Sequence, residues 1–222
     1  MRRAFSRSLG SIAVVMTPAA VFVCAGAGPL TDVLLGAQWT GVVPLIVAFG
    51  ISLPFRSAQR ICSAALRAVG RSWLVAALQL LLLAATVLGS WFGIQYGLVG
   101  AAVGVTAAFL VHYLALVVAC AIVLRMDIGT IARHHLSGVP LGILVAMGTF
   151  GGLMLGRFTT HFITVPLMML IACLLAGAAA WLLPDHILRP DGKWLVNLLG
   201  ARLPRRIRSV KPVSIFLQRV SQ

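Results

Sequence analysis

Acidic side chains are nearly absent. The 222-residue chain carries four, all aspartates: Asp32, Asp127, Asp185 and Asp191. None lies inside an apolar run long enough to cross a bilayer; each flanks one or sits in a loop. Intramembrane hydrolysis or group transfer needs a general acid or base at membrane depth, so the shortage argues against an enzyme and leaves no catalytic residue to nominate. It also leaves no carboxylate inside a span to couple transport to an ion. Charge of either sign is scarce, 10 % of residues against about 25 % in an ordinary soluble domain. The four cysteines, Cys24, Cys62, Cys120 and Cys173, sit in apolar stretches with no C-x-x-C spacing. They read as small buried hydrophobes, and the composition excludes a disulfide scaffold or a disordered chain.

Apolar residues fill the space that charge vacates. They make up 60 % of the chain, and mean hydropathy is +1.03. A soluble fold needs more polar surface than this, so the chain reads as an integral membrane protein. A hydrocarbon core of about 30 Å takes about 20 helical residues. Six segments qualify: residues 8–28, 41–69, 72–91, 98–124, 139–156 and 162–183. The expected architecture is all-α, a polytopic bundle of about six helices over residues 1–183, followed by a basic tail over 184–222. Arg2, Arg3 and Arg7 before the first run also suit a signal peptide, with Ala25-Gly26-Ala27 as its cleavage site. The length of the run favours a retained helix.

The net charge of +14 finds its explanation in topology. With the N-terminus inside, every basic residue except Arg157 lies in or beside a cytoplasmic segment, as the positive-inside rule requires. Both termini are then cytoplasmic, and nucleic acid is not needed as a partner. Trp39, Trp91 and Trp181 fall near span ends, where interfacial anchors sit. The tail mixes Arg202, Arg205, Arg206, Arg208, Lys211 and Arg219 with apolar residues, a pattern suited to anionic membrane lipid. Pro204 and Pro212 break it.

The second span carries the functional signal. Its apolar part, 41–55, is too short to cross alone, and Arg56 and Arg60 follow it with no turn until Gly70. One long helix over 41–69, bent at Pro44 or Pro54, is the economical solution. At about 100° per residue, Arg56, Arg60, Arg67, Ser63, Ser52 and Gln59 share one face. Ala58, Ile61, Ala65, Ala68 and Val69 lie opposite. An arginine at the centre of a membrane helix costs about 2.5–3.5 kcal/mol and normally faces a bundle interior or a watered cavity. Guanidinium grips phosphate in a bidentate fork, so Arg56 and Arg60 are candidates for binding an anion of the phosphate type, with Ser52, Gln59 and Ser63 as further polar cavity residues. Arg67, about 16 Å from Arg56 along the axis, is expected to snorkel to the cytoplasmic headgroups. His112 in the fourth span is a further polar cavity candidate. His134 and His135 read as a solvated loop; they lack the ligand partners of a metal site, and no motif asks for a cofactor. Gly100/Gly104, Gly138/Gly142 and Gly148/Gly152/Gly156 have the spacing of close helix contacts.

Several stretches together resemble a known family. Leu34, Leu35, Gly36, Ala37, Gln38 and Trp39, with Pro44 after them, are similar to an "LLG-x-x-W…P" loop and helix start. Leu53 to Arg56 and the run A-A-L-R-A-V-G-R ending at Arg71 are similar to a long helix closing in an "LxAxGR" turn. Gly97, Leu98, Val99, Gly100, Ala101 and Ala102 are similar to a "GLxGxA" helix start, and a basic stretch from Arg125 to Arg133 precedes a Pro/Gly-containing helix. In this order they resemble the C-terminal half of bacterial polysaccharide flippases, the Wzx-type members of the multidrug/oligosaccharidyl-lipid/polysaccharide exporter superfamily, over residues 1–183. The resemblance implies a transporter in the bacterial cytoplasmic membrane that flips an undecaprenyl-pyrophosphate-linked oligosaccharide for polysaccharide biosynthesis. Two bundles would enclose a V-shaped cavity with alternating access. Arg56 falls at a position that is often basic in that family, whereas at Arg60 the usual residue is small or polar. Such transporters have about twice as many helices, so the N-terminal half is expected from the same gene, a partner chain or a homodimer; a truncated, inactive product is the alternative. A multidrug-type exporter of the same superfamily would want an apolar or acidic cavity for cationic drugs, against which the arginine face argues. A membrane glycan ligase or polymerase would want larger outer loops.

Overall fold

Long apolar helices make the scaffold. The computed structural model describes residues 2–156 and 161–182, together with residues 193, 194, 196 and 220. In chain order the elements are α1 Arg2–Ala25, α2 Ala27–Leu34, a 3₁₀ segment Ala37–Val42, α3 Val43–Ala68, α4 Ser72–Ile94, α5 Gly97–Leu124, α6 Ile128–His135, a 3₁₀ turn Leu136–Gly138, α7 Val139–Gly156 and α8 His161–Leu182. No strand occurs among the described residues. The chain is an all-α, multi-pass bundle. Five stretches, Arg2–Ala25, Ala37–Ala68, Ser72–Ile94, Gly97–Leu124 and Ile128–Gly156, are long and apolar enough to cross a membrane, and Ile163–Ala178 within α8 is a shorter apolar stretch.

Packing runs α4 on α5, α5 on α3, α3 on α1, α1 on α7 and α7 on α8. The first helix is therefore central. Its Phe5 and Leu9 join Ala58, Cys62 and Leu66 of α3, Leu116 and Cys120 of α5, and Ile131 of α6 in one buried cluster. Elsewhere large apolar side chains face outward, as they do toward lipid: Trp73 and Trp91 near the two ends of α4 are 88 % and 70 % exposed.

Boundaries differ from the sequence expectation in three informative places. The first span starts at Arg2 rather than residue 8 and ends at Ala25, where Gly26 closes it and α2 begins. A side chain at Gly26 would meet the Met168 methyl of α8 at 2.8 Å, so the break sits where two helices crowd. The second span is two elements, because a 3₁₀ segment precedes α3 and Pro44 falls in the first turn of α3. There its missing N–H costs nothing. The Arg125–Arg133 stretch holds a short helix, α6, whose N-terminus is capped by Asp127: its carboxylate accepts from the Thr130 N–H at 3.0 Å.

That helix also corrects the reading of His134 and His135 as a solvated loop. His135 stacks on Tyr113 of α5 with ring centroids 5.1 Å apart, and its Nδ1 lies 3.3 Å from the tyrosine hydroxyl. The Ser137 hydroxyl, which donates to the His134 carbonyl at 2.6 Å, lies 3.3 Å from the Gly10 carbonyl of α1. The connection thus folds inward between α1 and α5. Cys62 and Cys120 are buried as expected, but Cys173 is exposed and Cys24 only half-buried. Arg157, the side chain of Trp181 and all but four residues of the expected 184–222 tail lie outside the described residues.

Candidate functional site

The arginine face of α3 opens into a cleft of about 420 Å³. From α3 it takes Arg56, Gln59, Arg60, Ser63 and Arg67; α4 contributes Gln79 and α5 contributes Phe109. The three guanidinium-bearing side chains are exposed along it, and Arg67 lies in the last turn of α3. With about 1.5 Å of rise per residue, they form a ladder of about 16 Å from the helix end into the span. Arg67 thus shares the cleft with the deeper pair from the last turn of the helix. No aspartate or glutamate occurs in α3, α4 or α5, so the cationic ladder has no acidic counterweight on these helices.

The polar face of α3 is split by packing. Its buried stripe includes Ala58, Gln59, Cys62, Ser63 and Leu66, so the buried arc reaches into the hydroxyl and amide side of the wheel. Ser63 and Gln59 are only 5 % and 8 % exposed and form the inner wall. The Gln59 amide Nε2 donates to the Phe109 backbone carbonyl at 2.7 Å. Arg56 places its guanidinium carbon 4.7 Å from the centroid of the Phe109 ring, a cation–π contact. One turn away, Thr106 Oγ1 donates to the Ala48 carbonyl at 3.0 Å. Two side-chain hydrogen bonds therefore tie α5 to α3 beside the site.

Two candidate residues lie elsewhere. Ser52 is fully buried, and its hydroxyl donates to the Phe49 carbonyl at 2.6 Å, one turn back in its own helix. It does not line the cleft. His112 is 1 % exposed, packed against the Leu78 backbone of α4, and is likewise absent from the lining. Its Nδ1 has no hydrogen-bond partner among the described residues. Phe109 and Gln79 were missed in the sequence. A phenylalanine within an apolar helix carries no signal, but a glutamine interrupting the leucine-rich run of α4 does, since polar side chains in such helices tend to face another protein group.

Chemically, the lining of the cleft suits an anion. Three guanidiniums supply fork-shaped donors suited to phosphoryl oxygens. Gln79 and Ser63 add neutral hydrogen-bonding groups, and the Phe109 ring supplies an apolar wall. Among the described residues no group of three or more His, Cys, Asp or Glu side chains gathers to hold a metal ion.

Residues 1–44 match a family model described as "Polysaccharide biosynthesis protein". This stretch comprises α1, α2 and the chain leading into α3. No curated protein and no solved structure matches the chain. The likeness and the membrane-crossing helices together fit a polysaccharide biosynthesis membrane protein.

Proposed function

We propose that the chain forms one wall of a flippase that carries an undecaprenyl-pyrophosphate-linked oligosaccharide across the bacterial cytoplasmic membrane. It is a transporter and not an enzyme, with both termini in the cytoplasm. The observation that carries this reading is the ladder of Arg56, Arg60 and Arg67 in one cleft that runs from the end of α3 into the helix, with no carboxylate on the helices that build it. Facing lipid, an arginine near the helix centre would cost about 2.5–3.5 kcal/mol. Facing a watered cavity, it binds the charged group that has the greatest difficulty crossing hydrocarbon, the pyrophosphate. The match of residues 1–44 to a polysaccharide biosynthesis family model supports a saccharide as the cargo.

Among the described residues, α3, α4 and α5 line the cleft. The facing wall comes from a second helical half: further helices of the same gene product, a partner chain, or a second copy. Membrane lipid covers the rest of the outward apolar surface.

The test is Arg56→Ala in the complete transporter, read as polymer export in cells with membrane insertion monitored alongside. Normal insertion with export lost is the expected result. Unchanged export would remove the pyrophosphate role. A multidrug-type exporter would instead gain or keep transport of cationic dyes when Arg56 is neutralised, so dye efflux in the same strain separates the two.

A further inference from the structure

Arg56 has no carboxylate on its own or the adjoining cleft helices to hold it, yet its position is defined. The guanidinium sits over the Phe109 ring at 4.7 Å. The Phe109 backbone is in turn fixed to α3 by the Gln59 amide at 2.7 Å, three residues from Arg56 on the same helix. Ring, amide and guanidinium form a closed loop between α3 and α5. An ion pair would neutralise the arginine and compete with an incoming anion. An aromatic ring does neither, because a guanidinium resting on a ring keeps the N–H groups at its edge free to fork onto phosphate oxygens.

We propose that Phe109 is a positioning residue for the anion site: its ring holds the Arg56 guanidinium extended into the cleft, ready for a diphosphate, at no cost in charge. The proposal rests on the reading of the cleft as a pyrophosphate site and assigns that site a second layer. Preorganising a long side chain tightens binding by removing the ordering that binding would otherwise require. The backbone carbonyl that Gln59 uses survives any substitution at position 109, so the ring is tested apart from the tie between the helices.

The experiment measures binding of geranylgeranyl diphosphate, and in parallel inorganic pyrophosphate, to the purified full chain in nanodiscs. Phe109→Leu is expected to weaken geranylgeranyl diphosphate about threefold to tenfold, the range of a cation–π contact converted to affinity. Phe109→Tyr keeps the ring and stays within about twofold of wild type. In an Arg56→Gln background, already weakened by loss of the guanidinium, Phe109→Leu adds nothing. Inorganic pyrophosphate binds less tightly overall but ranks the variants in the same order, because the ring acts on the phosphate grip and not on the lipid tail. Phe109→Met stands in should the leucine variant fail to fold. The proposal falls if Phe109→Leu and Phe109→Met bind as wild type, if tyrosine fails to rescue, if the loss persists undiminished in the Arg56→Gln background, or if the two probes rank the variants differently. A silent Arg56→Gln overturns the pyrophosphate site itself. A weakened Arg56→Gln beside a silent Phe109→Leu overturns only the positioning role.

Discussion

Helix α5 packs most extensively on α4 and α3, and it meets them in opposite ways. Against α4 it presents Gly100 and Gly104, which face Gly93 and Gly89 so closely that a Cβ on any of the four would collide with a backbone carbonyl of the other helix. Against α3 it presents side chains: Leu116 and Cys120 pack with Ala58, Cys62 and Leu66, and the Gln59–Phe109 and Thr106–Ala48 hydrogen bonds flank them. In lipid, burial of apolar surface supplies little drive, so contact between backbones and a few hydrogen bonds do the holding. The glycine seam makes α4 and α5 one unit, and that unit carries Gln79 and Phe109. The cleft is the junction between this unit and α3, the helix of the arginines. A close, featureless seam thus sets the frame, and an interface of individual side chains carries the chemistry. The α7–α8 pair repeats the first kind, with Gly148 on Ala172, Gly152 on Met168 and Gly156 on Thr164.

The seam is where a single substitution does most damage. Gly104→Leu drives a side chain into the Gly89 backbone, which has no rotamer to yield. The expected cost is about 3 kcal/mol or more, the upper part of the overpacking range, and the hairpin must separate. Gly177→Leu on α8 is the matched control, since a Cβ there has no neighbour within 4 Å among the described residues. Fluorescence-detected size exclusion after a thermal ramp checks both: the first variant loses its folded peak, the second keeps the wild-type midpoint. Equal behaviour of the two would mean that the seam does not hold the hairpin.

The side-chain interface should yield more gently. Leu66 is fully buried among α1, α3 and α5, so Leu66→Ala leaves a void. In water-soluble cores that change costs about 2–5 kcal/mol. Here the transfer component is muted by the lipid surroundings, and about 2 kcal/mol is expected. The same thermal ramp should show a lowered midpoint with the folded peak intact. A drop as deep as that of Gly104→Leu would erase the contrast between the two faces of α5.

The sequence disclosed the seam in part and the site in part, for physical reasons. Gly100 and Gly104 were legible because small residues four apart make a groove on one helix face. Their partners Gly89 and Gly93 have the same spacing, but no single-helix pattern says which groove meets which. Arg56 and Arg60 announced themselves by the expense of charge at membrane depth. That Arg67 lines the same cleft, together with Gln79 of α4, was not legible, because depth along one helix says nothing of what lies beside it. Ser52 and Ser63 are 40° or less from Arg56 on the wheel, at about 100° per residue, yet Ser52 is sealed against its own helix while Ser63 lines the cleft. Which edge of a polar face α5 covers is a tertiary fact. The inward fold of His135 onto Tyr113 was hidden for the same cause: eight residues of a polar connection look solvated until a partner ring is in place.

The smallest expected effect separates two of the hydrogen bonds that tie α5 to α3. Thr106→Val removes a hydroxyl that donates to the Ala48 carbonyl, and Gln59→Leu removes an amide that donates to the Phe109 carbonyl. Both acceptors lie within helices whose own backbone bonds serve them, so neither change strands a buried carbonyl. Each should cost about 0.6 kcal/mol, the average for interhelical hydrogen bonds in membranes. Stability alone would not tell them apart. Anion binding should, because Gln59 lines the cleft and steadies the residue on which Arg56 rests, whereas Thr106 does not line it. Geranylgeranyl diphosphate affinity is expected to fall about twofold to threefold in Gln59→Leu, within the energy of one such bond, and to stay at the wild-type value in Thr106→Val. Two variants with matching stability and different affinity would locate the chemistry on the Gln59 side of the interface. Matching affinities would make both bonds fasteners and nothing more.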